Sequence, residues 1–372
     1  MTPKTQCSRC VMDSSDPAIT FDEFGVCSHC HYFDNSAHNY WFPNQEGKRK
    51  LDGIINSIKE KNAKKPYDCI MGISGGVDSS YLALVLKEYG LRVLAVHVDA
   101  GWNSEMAVSN IENVINHCNF DLHTHVVNWN DMKKLQLAYL KSGLANQDVP
   151  QDHVFFAVLH KYAVKTKNNV FMSGGNVATE YILPQSWQGS AMDRINLKAV
   201  YKKFGGEPLE DYETIGFWDL YVLFRLRGMK EVRPLNYMPY TVNEAIAELE
   251  KVGWRNYGRK HGESFFTKFF QNYILPERYG YDKRIAHLSS RILSGEITRS
   301  YALEVLNEPL YDPQELEVDK KYFCKKLGIS LSDLDGYIKA PQRFYDEFPN
   351  WDLQRNSLRF ISAQWAKFKS KK

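Results

Sequence analysis

From about residue 68 the chain alternates short apolar runs with stretches whose apolar residues recur at helical spacing. Asp68-Cys69-Ile70-Met71-Gly72-Ile73 is largely apolar and runs into a glycine-rich turn, as a strand buried on both faces does. Asp78 to Tyr89 reads as a helix, with Leu82, Val85, Leu86 and Tyr89 on one face and Gly90 placed to end it. Further strands are predicted over Arg92–Val98, His123–Asn128 and Asn169–Ser173, and helices over Ser104–Cys118, Met132–Ser142 and His153–Thr166. Such alternation predicts an α/β fold, a Rossmann-like parallel sheet with helices on both faces and right-handed crossovers.

After about residue 180 this rhythm fades. Thr241-Val242-Asn243-Glu244 has the spacing of a capping box ahead of Val242, Ile246 and Leu249, and Ile285, Leu288, Ile292 and Leu293 mark another amphipathic helix. Three units are expected: residues 1–46 around paired cysteines, an α/β domain over 50–230, and a mainly helical region over 231–372 for substrate or partner contacts.

Composition narrows the class. Of 372 residues, 44% are apolar and 24% charged, as in a soluble globular protein, and the formal net charge is +3. So mild a charge argues against bulk capture of nucleic acid. The greasiest stretch, Phe217 to Met229, is interrupted by Asp219, Arg225 and Arg227, so no membrane span is expected. The N-terminus reaches its cysteines before any apolar run, which predicts no secretory signal and a cytoplasmic address.

Two motifs carry chemistry. Ser74-Gly75-Gly76-Val77-Asp78-Ser79-Ser80 is a glycine-rich turn between strand and helix, where backbone N–H groups and the helix dipole favour phosphate. Gly75 and Gly76 let backbone approach an anion, Ser74, Ser79 and Ser80 add hydroxyls, and Asp78 is placed to hold Mg²⁺. The lysine of a Walker A loop is missing. Cys7-Ser8-Arg9-Cys10 and Cys27-Ser28-His29-Cys30 form two CxxC knuckles, the spacing of a structural four-cysteine zinc site in a zinc ribbon. Gly25 suits the turn before the second knuckle.

The Ser-Gly-Gly-Val-Asp-Ser string resembles the PP-loop, or N-type, ATP pyrophosphatases. That resemblance implies cleavage of ATP to AMP and pyrophosphate, with Asp78 and Ser79 at the reacting phosphates and the whole loop around the pyrophosphate. It also implies adenosine contacts near His97 and Asp99, although Asp99 could equally cap the next turn. Gly174, Gly175 and Asn176 close a later strand at the same sheet edge and are expected on the ATP side. Glu180 beyond them reads as a Mg²⁺ or substrate ligand or as a solvated helix-start carboxylate.

Nearly end to end, the chain resembles the N-acetyl sugar amidotransferases of bacterial surface-polysaccharide and flagellar-glycan biosynthesis. The resemblance runs through Cys-Ser-Arg-Cys-Val-Met-Asp, Gly-Val-Cys-Ser-His-Cys, Val-Asp-Ala-Gly-Trp-Asn, Ser-Gly-Gly-Asn and Arg-Lys-His-Gly-Glu-Ser. It implies conversion of an acetamido group on a nucleotide-linked or nonulosonic sugar to an acetamidino group, as in lipopolysaccharide O-antigen biosynthesis. Ammonia is then expected from partner glutaminase and cyclase-like subunits. The polar segment Arg255 to Glu263, with Arg259, His261 and Glu263, is expected to meet the sugar's phosphate or carboxylate; a solvated loop is the plainer alternative. A tRNA-modifying enzyme of the same fold, such as a thiolase, and a non-catalytic ATP-binding zinc-ribbon protein are the rivals. Thiolation lacks a central pair of cysteines to carry sulfur.

Overall fold

The computed structural model describes residues 4–187, 189–258 and 262–358. Five parallel strands form one sheet: β1 Cys69–Gly72, β2 Val93–Asp99, β3 Asp121–Val126, β4 Val170–Met172 and β5 Lys230–Val232. Their order is β3-β2-β1-β4-β5. Cys69 stands opposite Val93, Ile70 opposite Phe171, and Leu94 opposite Asp121. The order reverses on either side of β1, so the switch point of the sheet lies at its carboxyl end, where α/β proteins collect ligands.

The helices are α1 Ser28–Ser36, α2 Gln45–Asn62, α3 Val77–Glu88, α4 Glu105–Cys118, α5 Trp129–Ser142, α6 Val149–Lys165, α7 Val177–Glu180, α8 Arg194–Phe204 and the short α9 Phe224–Leu226. After β5 come α10 Val242–Glu250, α11 Phe265–Phe269, α12 Leu275–Tyr279, α13 Lys283–Leu293, α14 Arg299–Asn307, α15 Pro313–Leu327 and α16 Leu331–Lys339.

Strand periodicity distributes the core. Cys69, Met71 and Ile73 meet Leu51 and Ile55 of α2, Leu82 and Leu86 of α3 and Ile111 of α4 on one face. Ile70, Leu94 and Val96 meet Met132 of α5 and Val154 and Val158 of α6 on the other. Helices therefore cover both faces, as the alternation predicts. Local chemistry ends the helices where expected: Ser104 Oγ accepts from Ala107 N–H at 3.1 Å at the start of α4, and Asn119 at its end takes φ of 53°. The fading of the β-α rhythm after residue 180 was misleading in one respect. Lys230–Val232 adds a fifth strand, and its three residues, two of them charged, carry no apolar signal.

The cysteine-bearing N-terminus packs into the C-terminal helices. Cys7, Cys10, Cys27, Cys30 and Phe33 share one core with Trp102, Trp187, Phe266, Phe269 and Phe323. Arg299 of α14 donates from Nε to the carbonyl of Cys10 at 2.9 Å and from a terminal nitrogen to that of Cys7 at 3.0 Å. Val11 N–H donates to Ser289 Oγ of α13 at 3.2 Å. Among the described residues no helix is long and apolar enough to cross a membrane.

One buried titratable group near the start of α6 makes stability depend on pH. His153 is fully buried; its Nδ1 faces the Ala191 carbonyl at 2.9 Å and its Nε2 accepts from Ile215 N–H at 3.1 Å, which defines a neutral ring. Burial lowers its pKa to about 4, the Ala191 carbonyl acting upward and Arg194 downward. An unfolded histidine titrates near 6.5, so in the interval between the two values the unfolded chain binds the proton. This contribution is complete above about pH 6.5 and disappears as pH falls toward about 4, a change of about 3 kcal/mol at most. Urea midpoints are expected to drop from about pH 7 to about pH 5, and His153→Gln to flatten that drop relative to wild type.

Candidate active site

The Ser74–Ser80 loop sits between the carboxyl end of β1 and the amino end of α3. Gly75 has φ of +86°, and a Cβ there would come within 2.9 Å of the Ala107 carbonyl oxygen, so the turn requires glycine. Its own carbonyl accepts from Trp254 Nε1 at 2.8 Å and from Tyr257 Oη at 3.0 Å. Ser79 Oγ accepts from Ser74 N–H at 3.3 Å and donates to Gly76 O at 3.2 Å, while Ser74 Oγ accepts from Gly76 N–H at 3.3 Å. The loop is thus fixed from both sides before any ligand arrives, which is the arrangement electrostatic catalysis needs.

Asp78 lies in the first turn of α3, and its Oδ1 accepts from Asn176 Nδ2 at 3.1 Å and from the Tyr240 hydroxyl. Burial first, and Asp78 second, push the Tyr240 phenol far above its ordinary range, so it donates at any physiological pH. Asn176 also caps α7 through Thr179 N–H at 3.0 Å. Gly174 is packed against this turn; a Cβ there would come within 2.9 Å of Asp78 O. Tyr240 gave no sign in the sequence, because only the connection from β5 to α10 brings it to Asp78.

Ser74, Gly76, Val77, Asp78, Ser79, Gly174, Gly175, Glu180 and Glu263 all border one cleft of ≈ 680 Å³. Its opposite wall comes from the C-terminal helices, including Gln271, Lys283 and His287. Glu263 is close to the loop: a Cβ on Gly76 would lie 2.9 Å from its Oε1. Its backbone carbonyl accepts from Ser104 N–H at 3.0 Å, and Phe265 N–H donates to Trp102 O at 2.9 Å, so this segment runs beside the loop that follows β2. Lys326 of α15 holds the same loop, donating to the Gly101 carbonyl with its ammonium 4.6 Å from the Trp102 ring centroid.

Two sequence expectations turn out differently. Ser80 faces inward, fully buried, with no hydrogen bond to its Oγ among the described residues. It is two residues beyond Asp78, about 200° around the helix. His97 is buried with Nδ1 facing Ile73 O at 2.9 Å and Nε2 facing Asn103 Nδ2 at 2.8 Å, so both ring nitrogens are engaged within the protein. For Asp99 the turn-capping alternative is present, its Oδ1 accepting from Gly101 N–H at 2.7 Å after β2. Arg259 and His261 lie outside the described residues.

The four paired cysteines meet in one buried group. Sγ–Sγ separations are 3.8 Å for Cys7–Cys30, 3.6 Å for Cys10–Cys27 and 3.6 Å for Cys27–Cys30. These are too long for disulfides and match the edge of about 3.8 Å of a tetrahedron of sulfurs around a zinc ion. Backbone N–H groups of Cys10 and Cys27 donate to Cys7 Sγ at 3.4 and 3.2 Å. Hydrogen bonds from Cys10 hold the Cys27 thiol down at about 7 and Cys7 lower still, while Cys27 pushes Cys10 up and Cys10 pushes Cys30 up. Four thiolates this close repel one another unless a cation lies among them. His29 and His31 instead pair with Asp16 at 2.7 Å and Asp22 at 2.8 Å. The other cysteines are also buried, and burial raises Cys118 and Cys324 to about 11 and Cys69 further.

Comparison with known proteins adds two domain assignments. Residues 68–183 match the family model of the queuosine biosynthesis protein QueC, and residues 263–361 match that of the C-terminal domain of LPS biosynthesis protein WbpG-like chains. The tRNA(Ile)-lysidine synthase of Chlamydia pneumoniae is 41% identical over 59 residues, which span 16% of this chain and 17% of that protein. Among solved structures, NMN synthetase from Francisella tularensis aligns with TM-score 0.37 and 14% identity over 77% of this chain and 96% of its own. NH3-dependent NAD synthetase from Campylobacter jejuni aligns with TM-score 0.28 and 13% identity over 81% of this chain and 100% of its own.

Proposed function

We propose, for a chain that joins a QueC-like PP-loop ATPase domain to a WbpG-like C-terminal domain of lipopolysaccharide biosynthesis, that it is an ATP-dependent amidotransferase acting on an acetamido sugar. One observation carries this reading: the phosphate loop and the helices of the WbpG-like domain face each other across the same cleft. ATP held by its terminal phosphates at Ser74–Ser79 would turn its α-phosphate toward whatever the opposite wall holds.

In this reading the acetamido oxygen attacks the α-phosphorus and pyrophosphate leaves. Ammonia adds to the carbon of the resulting O-adenylyl imidate, the C–O bond breaks, and AMP departs to leave an amidine. Backbone N–H groups of the loop and the hydroxyls of Ser74 and Ser79 receive the charge on the departing pyrophosphate. Asp78, oriented by Asn176 and Tyr240, is the residue that would hold Mg²⁺, which when bound neutralises phosphate charge. Glu263, which borders the cleft beside the loop, would help to keep water from the imidate. Ammonia would come from a partner glutaminase, and zinc at the four cysteines would be structural. The short match to tRNA(Ile)-lysidine synthase keeps tRNA modification as a rival. Thiolation finds no support in Cys69, Cys118 and Cys324, buried thiols held protonated.

The test is incubation with ATP, Mg²⁺, ammonium and a panel of free and nucleotide-linked acetamido sugars. Phosphorus NMR is expected to show AMP and pyrophosphate, and mass spectrometry the exchange of oxygen for NH on one sugar. ADP and orthophosphate, or AMP without any modified sugar, would count against the proposal.

A further inference from the structure

Helices α11 and α12 are one continuous helix interrupted by a wider turn at Phe270–Ile274. The cause is Pro276, which has no N–H to give to the carbonyl of Asn272 four residues earlier. Leu275 N–H reaches instead to Phe270 O, a five-residue step, and turns of this kind recur at functional sites. Phe270 and Ile274 are buried in the core, while Gln271 and Asn272 both border the cleft opposite the phosphate loop.

Gln271 is only 8% exposed, yet no hydrogen bond joins its carboxamide to any described residue. Nor does one join that of Asn272. Neither carboxamide is sealed from water: both open into the cleft, where a ligand that displaces the water meets donors and acceptors not committed elsewhere in the protein. The two side chains carry no charge and offer N–H donors and carbonyl acceptors together, which suits the N–H and hydroxyls of a neutral amide-bearing group. Phosphate would instead call for charged or backbone N–H donors, and the loop across the cleft offers the latter at the start of α3.

We infer that Gln271 and Asn272 form the acceptor subsite, binding the neutral acetamido group of the substrate and turning its oxygen toward the phosphate loop. The inference rests on the amidotransferase reading. A carboxamide oxygen that accepts the substrate's N–H leaves the substrate oxygen free to attack phosphorus. It also favours an acetamido sugar over one with a hydroxyl or amine in its place, because those groups lack the paired N–H and carbonyl of an amide and engage only part of the two carboxamides.

The experiment uses the full-length protein and the acetamido sugar of the panel that turns over fastest. Gln271→Met keeps the volume and removes the carboxamide; Asn272→Ser is the second variant, and thermal melting confirms folding of each. Each is expected to raise KM for the acetamido sugar by about tenfold or more with KM for ATP within about twofold of wild type. Preference over the corresponding hydroxy sugar should narrow by a similar factor. Unchanged acceptor KM in both folded variants, or a parallel rise in KM for ATP, overturns the subsite while leaving the amidotransferase reading intact. Failure of the wild type to release pyrophosphate with any acetamido sugar overturns the reading itself, and the subsite with it.

Discussion

Asp78→Asn is expected to lower formation of AMP and pyrophosphate by about a thousandfold or more, equivalent to about 4 kcal/mol of transition-state stabilisation. The substitution keeps the shape of the side chain and an oxygen that can still accept from Tyr240 and Asn176, so the first turn of α3 stays in place. What it removes is the negative charge facing the phosphates. Zinc content by atomic absorption and the melting temperature should match wild type. The dependence of residual activity on Mg²⁺ should weaken, because the proposed ligand is gone. Wild-type turnover in the asparagine variant would remove Asp78 from the chemistry and leave the loop as a binding element only.

The second large effect is expected from the cysteines. Cys27→Ser should abolish stoichiometric zinc and lower the melting temperature by at least about 10 °C, or leave the protein insoluble. The reason is the position of the site. Cys27 is fully exposed to neighbouring sulfurs and not at all to water, in the same core as Phe266, Phe269 and Trp187. Loss of the ion would leave three thiols competing for charge in that core and detach the knuckles from Arg299 and Ser289. Cys118→Ser provides the contrast, since its thiol stands apart from the cluster and should leave zinc content unchanged. A Cys27→Ser protein with full zinc and an unshifted melting curve would show that the sulfurs are not the ligands.

Some of this was readable in one dimension and some was not. The loop and the knuckles are local: glycines and serines, or cysteines two residues apart, specify their turns whatever the rest of the chain does. The doubly buried strands β1 and β2 announce themselves because apolar residues fill consecutive positions. β5 does not, since Lys230 and Glu231 are exposed at the sheet edge and are recruited by pairing with β4 alone. Ser80 and His97 illustrate the opposite error. Each belongs to a segment that borders the site, but helical rotation turns one inward and the other is committed to Ile73 and Asn103. Tyr240 and Gln271 are reached only through tertiary structure, the first 162 residues from its carboxylate partner, the second on a turn widened by a proline.

The clasp of Arg299 on the cysteine knuckle joins positions 289 and 292 residues apart. On the ribosome, then, the four sulfurs emerge well before the helices that enclose them. A growing chain therefore carries its thiols uncovered while the intervening sheet domain is made, and closing so long a loop is slow as well as entropically costly. Capture of a zinc ion early in translation would guard those thiols against oxidation, and a zinc-poor cell would then be expected to lose the protein during its manufacture rather than afterwards.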